Sequence, residues 1–554
     1  MISRHFTSLP KLPSLSKIPS KYKSRAVKEA QEVLTDYLHL TRLVPFTYAE
    51  NISKYSIISL SNLIANLNSD VGFKVSDFPK SFQKFLRYHP INEFEFFYES
   101  IGIDYNEVHG FLPKNKFFFS EDVAPLNASY TLSAFGFPWN KLGNLCREET
   151  SVFGEGSKDL TSRLSDFLIY GFSKVQVIGI CLTFPYLLNG KFDGENEALL
   201  DDLRVLLLDF NLRSYVEENV DAWFETCKKI RVFYDLGCEK GKMGELMGRN
   251  KRFFVDYSIE DIVQKANFFC RFDVSNEDAC LLLLQRPEIF NFDLDKKVIS
   301  VQGLLRHFGL SDEELESVAR KYSHIMGRNK MANLPHVMRA LDLHLWFFNE
   351  IKKGNHPLLA SYSMSDSNDD IDEEYRAYLE IIRASRTPVH TRNKLDFVHG
   401  IGFAENALCV KIFVHLHGTS TELQERFDCL LDAGISFSNV CSMINRAPKI
   451  MNQSPEMIVD KVNYLCCEMG GSLHDLVAFP AFLCFDLEKR IKPRHRFQKL
   501  VMEKGLCTLK YSVASIVATS EKCFLARAHG MCPAALKHYF ECLLPRSLAN
   551  NEVS

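Results

Sequence analysis

The residues with the clearest potential chemistry are arginines and lysines that recur beside proline positions or cluster in one short segment. Those at proline positions are Arg249, Lys251, Arg252, Arg286, Arg446 and Lys449, and those in the segment RIKPRHRFQK are Arg490, Lys492, Arg494, Arg496 and Lys499. A guanidinium matches the oxygens of a phosphate, and an ammonium attracts them as a point charge. Cations at one position of a repeating structure would follow a nucleic-acid backbone. We therefore predict that these residues contact phosphates; the alternative is an ordinary solvated face.

The segment from Arg490 to Lys499 is the densest run of positive charge. Pro493 is expected to keep it from forming a plain helix, because proline lacks a donor and its ring crowds the preceding turn. Changing Arg490, Arg494 and Arg496 together to alanine is expected to weaken nucleic-acid binding while the chain stays folded.

Residue patterns for other chemistry are missing from the sequence. It contains no GxGxxG or GxxxxGK[ST] phosphate loop, and no Ser/His/Asp set in a recognisable context. The 16 cysteines include no Cys-x-x-Cys pair, so they are expected to be reduced core residues. His415 and His417 are the nearest approach to a metal pair, without further ligands nearby. We predict no catalytic residue, no metal, no cofactor and, without an apolar run of 18 residues, no membrane span.

The elements that must position the cations form a repeat. Gly171 precedes Pro185 by fourteen residues, as Gly434 precedes Pro448 and Asp273 precedes Pro287. The same frame begins at Gly136, Gly237, Gly309, Gly402, Gly470 and Gly505, and adjacent starts are mostly 35 or 36 residues apart. A fixed period of this size indicates stacked units rather than a catalytic domain. Between Gly171 and Gly237 we expect one degenerate unit, around Val205 to Phe224.

One unit is predicted to contain two helices joined by a turn that begins at proline. Ser275 with Asp278, and Ser311 with Glu314, resemble capping boxes that start a first helix. Pro287 ends that helix and opens the turn. A second helix is expected from about Leu294 to Phe308, closed by Gly309 in a left-handed cap. No segment shows the alternation expected of hairpin strands.

At this point the chain resembles the mitochondrial transcription termination factor (mTERF) family, in its plant organellar branch. The repeat segments that carry the resemblance are YGFSKVQVIGICLTFPYLL, LDAGISFSNVCSMINRAPKIM and FDVSNEDACLLLLQRPEIF. Stretches outside the repeats also match the branch, namely FLRYHPINEFEFF, GFPWNKLGNL, CKKIRVFYDLG and FPAFLCFDLEKRIKPRHRF. Pentatricopeptide repeats share the period but place their glycine and proline side by side. The resemblance covers about Leu60 to Phe524.

The resemblance implies an all-α solenoid of helical repeats, wound to the right or to the left. In the family such a superhelix has a basic groove that binds double-stranded DNA, and some plant relatives act on organellar RNA. Departures from the family pattern are expected to change local curvature. Thr150, Lys251, Ser323 and Leu416 stand at proline positions, Asp273 stands at a glycine position, and Gly470 is only ten residues before Pro480.

The domain organisation follows from the repeats and the charge distribution. We predict a transit peptide at 1–25, a helical lead-in at 26–59, repeats at 60–355, a flexible acidic insert at 356–375, repeats at 376–530 and a tail at 531–554. Residues 361–375 carry six acids and no Lys or Arg, whereas 376–554 carry 22 Lys/Arg and 17 Asp/Glu. The formal net charge of −3 therefore conceals a basic C-terminal part.

The first 25 residues have the composition of an organellar targeting segment. They contain six Lys/Arg and many Ser and Thr, and the first acid is Glu29. The arginines, leucines and Phe6 favour the mitochondrion over the chloroplast.

The leading functional hypothesis is a monomeric, non-enzymatic regulator of mitochondrial gene expression that binds organellar double-stranded DNA. Termination or regulation of transcription would follow if the solenoid wraps the duplex and blocks the polymerase. RNA binding in intron splicing or RNA maturation is an alternative, with bases stacked on exposed aromatic rings. A protein-interaction scaffold, the common use of solenoids, is another.

Overall fold

The structure is a computed structural model. It describes residues 20–70, 77–154, 159–189, 194–294, 299–330, 333–359, 371–507, 511–531, 537 and 539–540. Residues 1–19 of the predicted targeting segment 1–25, residues 360–370 of the predicted acidic insert 356–375 and most of the predicted tail 531–554 lie outside the described residues. The chain forms two compact units, Met1–Val263 and Gln264–Ser554.

The N-terminal unit is built from helices throughout its described residues. Helices α1 to α14 are Ser20–Arg42, Phe46–Tyr55, Ile57–Asp70, Phe78–Tyr88, Glu93–Ser100, Tyr105–Val108, Ala124–Phe135, Leu142–Glu148, Leu160–Ile169, Lys174–Thr183, Gly194–Arg204, Val220–Asp235, Gly244–Arg249 and Phe253–Asp256. Short 3-10 turns lie at Phe119–Glu121, Trp139–Lys141, Thr150–Phe153, Pro185–Leu188 and Leu212–Ser214, and a π-helix lies at Val205–Asp209.

The C-terminal unit continues the same construction, and the boundary falls within α15 (Ile259–Cys270). Helices α16 to α30 are Asn276–Gln285, Val301–His307, Asp312–Lys321, Leu334–Ala340, His344–Lys353, Glu373–Ala384, Pro388–Gly400, Ala407–Phe413, Ser420–Asp432, Phe437–Arg446, Pro455–Asn463, Leu473–Ala478, Lys492–Glu503, Val513–Val517 and Glu521–Met531. The 3-10 turns are Pro287–Asn291, His356–Leu359, Pro448–Asn452 and Pro480–Cys484, and the π-helices are Tyr464–Glu468 and Leu487–Ile491.

The predicted all-α repeat fold is confirmed. Within a unit, a first helix ends two residues before the proline, a 3-10 turn starts at the proline, and a second helix follows, as in α25, Pro448–Asn452 and α26. The first helices are largely buried: α10 buries eight of its ten residues, from Gln176 to Thr183. This burial is the main stabilising contribution, because apolar area removed from water drives helix packing.

Every predicted start of a repeat has a left-handed backbone. The φ values at Gly171, Asp273 and Gly434 are 101°, 65° and 92°, and the other predicted starts are also positive. Two further starts were missed: Gly102 (φ 102°) lies 34 residues before Gly136, and Asp342 (φ 62°) lies 33 residues after Gly309. Asn211, with φ 52°, closes the π-helix Val205–Asp209 inside the degenerate unit.

The predicted caps differ in detail. Ser311 and Glu314 form the full capping box, whereas the Ser275 hydroxyl accepts from the backbone N–H of Asp278 and donates to its carboxylate. The second helix expected from Leu294 is wrong at its start. Ile299–Ser300 pairs instead with Arg328–Asn329 as a two-stranded antiparallel ladder (β1 and β2), and α17 begins only at Val301. Two-residue strands are too short for alternation to reveal them.

Candidate nucleic-acid interface

The cations just before the proline are oriented by the break between the first helix and the 3-10 turn. Arg286 forms the C-cap of α16, with φ −132°, and Arg446 is the last residue of α25. Proline forces the residue before it out of the helical region, so the first helix stops there. Side chains at this break therefore leave the helix at its carboxyl end.

Both arginines bind carbonyl groups at the end of another first helix. The Arg286 Nε and a terminal nitrogen donate to the Lys352 carbonyl near the end of α20, at 3.3 and 3.2 Å. Arg446 donates to the carbonyls of Val477 and Ala478, the last two residues of α27. These carbonyls lack intrahelical donors, and a cation also interacts favourably with the negative end of the helix dipole. The structure therefore gives both arginines a capping role.

The group at 249–252 is mixed in its contacts. The Lys251 Nζ donates to the Phe210 carbonyl at 2.6 Å and lies 4.9 Å from the Tyr215 ring centre. Arg249 pairs with Glu245 on the same helix at 2.9 Å, with both side chains mostly exposed. Arg252 is exposed, 5.5 Å from the Tyr215 ring centre. Of the three, Arg249 and Arg252 keep solvent access for a ligand.

The segment from Arg490 to Lys499 is helical, contrary to the expectation from Pro493. The π-helix Leu487–Ile491 leads directly into α28, and Pro493 occupies the first turn of α28. A π turn pairs donors and acceptors at a longer spacing, and first-turn N–H groups need no helical acceptor. The proline is thereby accommodated without a break.

Arg494 is an internal residue, not a surface cation. Its side chain is 0% exposed, and one terminal nitrogen donates to the carbonyls of Val517 and Thr519 at 3.1 and 2.6 Å. The other terminal nitrogen pairs with the Glu521 carboxylate. Arg490 binds the same two carbonyls, at 3.0 and 2.9 Å. The triple alanine substitution would therefore disturb folding, and the expectation that the chain stays intact is corrected.

The remaining residues of the segment are nearer to solvent. Lys492 pairs with Glu488 one turn earlier and faces the Tyr464 ring. Lys499 is exposed and Arg496 is half-buried, and within the described residues neither has a hydrogen bond or ion pair. Lys449, exposed on the turn Pro448–Asn452, likewise has no hydrogen bond or ion pair to a described residue. These three side chains are available to phosphates.

Arg494 belongs to a set of cations that sequence inspection missed. At each of six places a Lys or Arg on one helix donates to a backbone carbonyl that lies 22 to 27 residues later, at or beyond the end of the next α-helix. The pairs are Lys229–Phe254, Lys265–Phe292, Lys394–Leu416, Arg426–Met451, Lys461–Leu483 and Arg494–Val517. We call these six pairs the carbonyl clamps. The sequence pattern that could have indicated the clamps is a basic residue that recurs at one position in the second helix of successive units.

Lys461 provides a test of the clamps. Its Nζ donates to the Leu483 carbonyl and the Gln453 side-chain oxygen, both at 2.8 Å, and the residue is 1% exposed. Because hydrogen bonds from a charged donor each contribute about 1.5–3 kcal/mol, Lys461→Met is expected to lower the free energy of unfolding by about 2 kcal/mol. Urea denaturation followed by circular dichroism would measure it. The control Lys449→Met, at an exposed lysine, should change it by less than about 0.5 kcal/mol; equal effects would contradict the clamp.

A further group of exposed cations was missed at the elbow between α21 and α22. Arg383, Arg386, His390 and Arg392 are all exposed, and no acid lies between Glu380 and Asp396. The fifteen residues without an acid could have indicated this basic group from the sequence. We call these four residues the elbow cations.

The cysteines and histidines form no candidate metal centre among the described residues. Fourteen described cysteines are free, and Cys181, Cys227, Cys409 and Cys441 are among those buried. Burial raises the pKa of Cys227 to about 12, so that thiol stays protonated and unreactive. Cys467, Cys484 and Cys523, by contrast, are exposed.

In the described part of the chain no single helix is long and apolar enough to cross a membrane. Helices α9 and α10, which meet at a bend of 118°, are together long and apolar enough by length and composition alone.

The fold and the distribution of cations define a helical-repeat protein. Some of its basic residues bind backbone carbonyls and carboxylates of the protein itself, and others face solvent. The family model named mTERF matches residues 220–343 and 379–525. The chain is 53% identical over 527 residues to Transcription termination factor MTEF18, mitochondrial, of Arabidopsis thaliana, covering 95% of this chain and 94% of that protein. It is 24% identical over 371 residues to Transcription termination factor MTERF8, chloroplastic, of the same plant, covering 62% and 71%.

This chain therefore belongs to the mTERF family, as its repeats indicated. The mitochondrial localisation predicted from the N-terminal composition is confirmed by the near-full-length relationship to a mitochondrial member.

Proposed function

We propose that this protein binds double-stranded DNA in the mitochondrion and regulates transcription there by causing termination or pausing. The observation that carries the proposal is the set of cations that form no hydrogen bond or ion pair with another described residue of the protein. Of the predicted contacts, these are Lys449, Arg496 and Lys499 in the C-terminal unit and Arg252 in the N-terminal unit. Arg249 is exposed but already pairs with Glu245 on its own helix. The names of the relatives, all transcription termination factors, support a role as an organellar nucleic-acid-binding regulator.

The proposed mechanism is physical rather than catalytic. Lysine and arginine side chains neutralise phosphates and release condensed counterions, which favours binding without reading sequence. Helices held by the carbonyl clamps would keep their shape when a polymerase arrives, so the bound protein would act as a barrier. Sequence preference would come from base contacts or from duplex deformation.

A salt series tests the proposal. Fluorescence anisotropy would give the affinity of the chain for a labelled DNA duplex and a labelled single-stranded RNA at increasing salt. With about four phosphate contacts, the slope of log K against log salt for the duplex is expected to be about −3.6. That slope corresponds to a drop in affinity of about 100-fold between 50 and 200 mM salt.

A matched pair of triple variants locates the contacts. Lys449→Gln, Arg496→Gln and Lys499→Gln together should make the slope shallower by about one for each phosphate that the chain no longer neutralises. The control variant changes three cations already paired with acids on their own helices to glutamine: half-buried Lys228 and exposed Arg320 and Lys353. It removes the same charge and should leave the slope almost unchanged.

The other outcomes separate the alternatives. Equal weakening by both triple variants would mean a diffuse charge effect and would remove the proposed contacts. Tighter binding of the single-stranded RNA would support RNA maturation, with bases stacked on exposed rings such as Trp346, which is 41% exposed. Failure to bind either nucleic acid at low salt would support a protein-interaction scaffold.

A further inference from the structure

A cavity of about 400 Å³ lies in the C-terminal unit, bounded by α21, α22 and the strand β2. Its lining combines basic, apolar and acidic side chains: Arg328, Lys330, Ile371, Tyr375, Leu379, Ile382, Arg383, Arg392, Leu395, Asp396, His399 and Glu405. Cavities of this size hold small organic ligands, and most of them pair an apolar wall with a few polar groups. None of the residues proposed to contact DNA lines it.

The charge of the lining is positive. Four cations and two carboxylates line the cavity, and one of those carboxylates, Glu405, pairs with Arg328 at 3.1 Å, with both side chains almost fully buried. Arg383 also pairs with Glu380, an acid on its own helix outside the lining. Arg383 and Arg392 are exposed members of the elbow cations, whereas Arg386 and His390 do not line the cavity. With Glu380 included, the four cations outnumber the carboxylates by one. A net positive charge at the mouth of a cavity favours an anion, and the planar fork of Arg392 suits a phosphate.

The rear of the cavity is neutral and fixed. The Nε2 of buried His399 accepts from the Tyr375 hydroxyl at 2.7 Å, and its Nδ1 donates to the Phe403 carbonyl at 2.8 Å. Burial lowers the pKa of His399 to about 4, so the ring is uncharged at neutral pH. The positive charge therefore comes from the arginines and lysine alone.

The floor of the cavity is apolar. Ile371, Ile382 and Leu395 are buried there, and Leu379 is half-buried beside them. An inorganic anion would leave this surface without a partner, whereas an organic group would cover it and gain from its burial.

We propose that this cavity binds a small organic phosphate of about mononucleotide size. Its phosphate would contact Arg383 and Arg392 at the mouth, and its organic part would cover Leu379, Ile382 and Leu395. The site would act independently of DNA binding, so its test contains no nucleic acid.

Isothermal titration calorimetry with the full chain tests the proposal. Adenosine monophosphate is the probe, and adenosine and inorganic phosphate are the two partial ligands. The monophosphate is expected to bind saturably, at least ten-fold more tightly than either part. Arg392→Gln should weaken it at least ten-fold. The control Arg386→Gln, an exposed elbow cation outside the lining, should change it less than two-fold.

A second variant separates a cavity from a charged surface. Leu379→Trp fills the space without changing charge, and it should abolish binding while the thermal midpoint stays within a few degrees of the parent. Absence of saturable binding to the parent chain, equal weakening by Arg392→Gln and Arg386→Gln, or unchanged binding in a folded Leu379→Trp chain would each overturn the proposal. If inorganic phosphate bound as tightly as adenosine monophosphate, the proposed contact between the organic group and the apolar floor would be wrong.

Discussion

Arg494→Ala is expected to lower the free energy of unfolding by about 3 kcal/mol, because it removes several buried hydrogen bonds from a charged donor and the ion pair with Glu521. The arginine is fully buried and donates to the carbonyls of Val517 and Thr519 and to the Glu521 carboxylate. Its guanidinium also lies 4.5 Å from the Phe524 ring centre, so alanine removes packing as well. Arg490 keeps one donor on each of these two carbonyls, so the variant loses the second bond to each carbonyl, the Glu521 pair and the packing.

Urea denaturation monitored by circular dichroism would measure the effect. Arg496→Ala is the matched control, because this arginine is half-buried two residues further along the same helix and has no hydrogen bond or ion pair to a described residue. It should cost less than about 0.5 kcal/mol. Arg494→Lys should recover part of the stability, since lysine keeps the charge but lacks the planar fork. Parent-like stability of Arg494→Ala would refute the structural role.

Gly102→Ala is expected to lower the free energy of unfolding by about 4 kcal/mol, from backbone strain and a collision together. Gly102 has φ 102°, and a Cβ there would lie 2.3 Å from the backbone oxygen of Asn140. The neighbouring backbones are already in contact, since the N–H of Gly143 donates to the Ile101 carbonyl at 2.6 Å. Neither backbone can move without disturbing the other.

Gly237→Ala separates the two causes. Gly237 has nearly the same φ, 101°, but a Cβ there would meet no atom within 4 Å. It should therefore carry only the cost of the backbone conformation, about 1–3 kcal/mol. The difference between the two variants, measured as the change in denaturation midpoint at equal slope, reports the collision. Indistinguishable midpoints would mean that the contact with Asn140 relaxes freely.

The positions of the repeats could be predicted because each boundary has a local cause. Gly171 permits the left-handed backbone at its position, Pro185 fixes φ at its own, and Ser311 with Glu314 caps a helix within four residues. Asp342 was missed because an acid can take the left-handed conformation without glycine to mark it. The ladder of Ile299–Ser300 with Arg328–Asn329 depends on residues far apart in sequence, so no local pattern indicates it.

The roles of the cations could be predicted less well. Arginine forms the same fork towards a phosphate and towards a pair of carbonyls, so its sequence position does not decide between them. For Arg286 the acceptor lies 66 residues away, and for Arg446 it lies 31 and 32 residues away. Only the packing of one repeat against another decides the partner.

The carbonyl clamps have a direction. In all six pairs the cation precedes its acceptor, by 22 to 27 residues. A chain that emerges from the ribosome or from an import channel amino end first exposes each cation before the carbonyl that satisfies it. Each of these six clamps can therefore close only after the following repeat has emerged. A chain interrupted within a repeat lacks the carbonyl that its last clamp cation would bind. We expect that cation to stay hydrated and the end of the chain to fray.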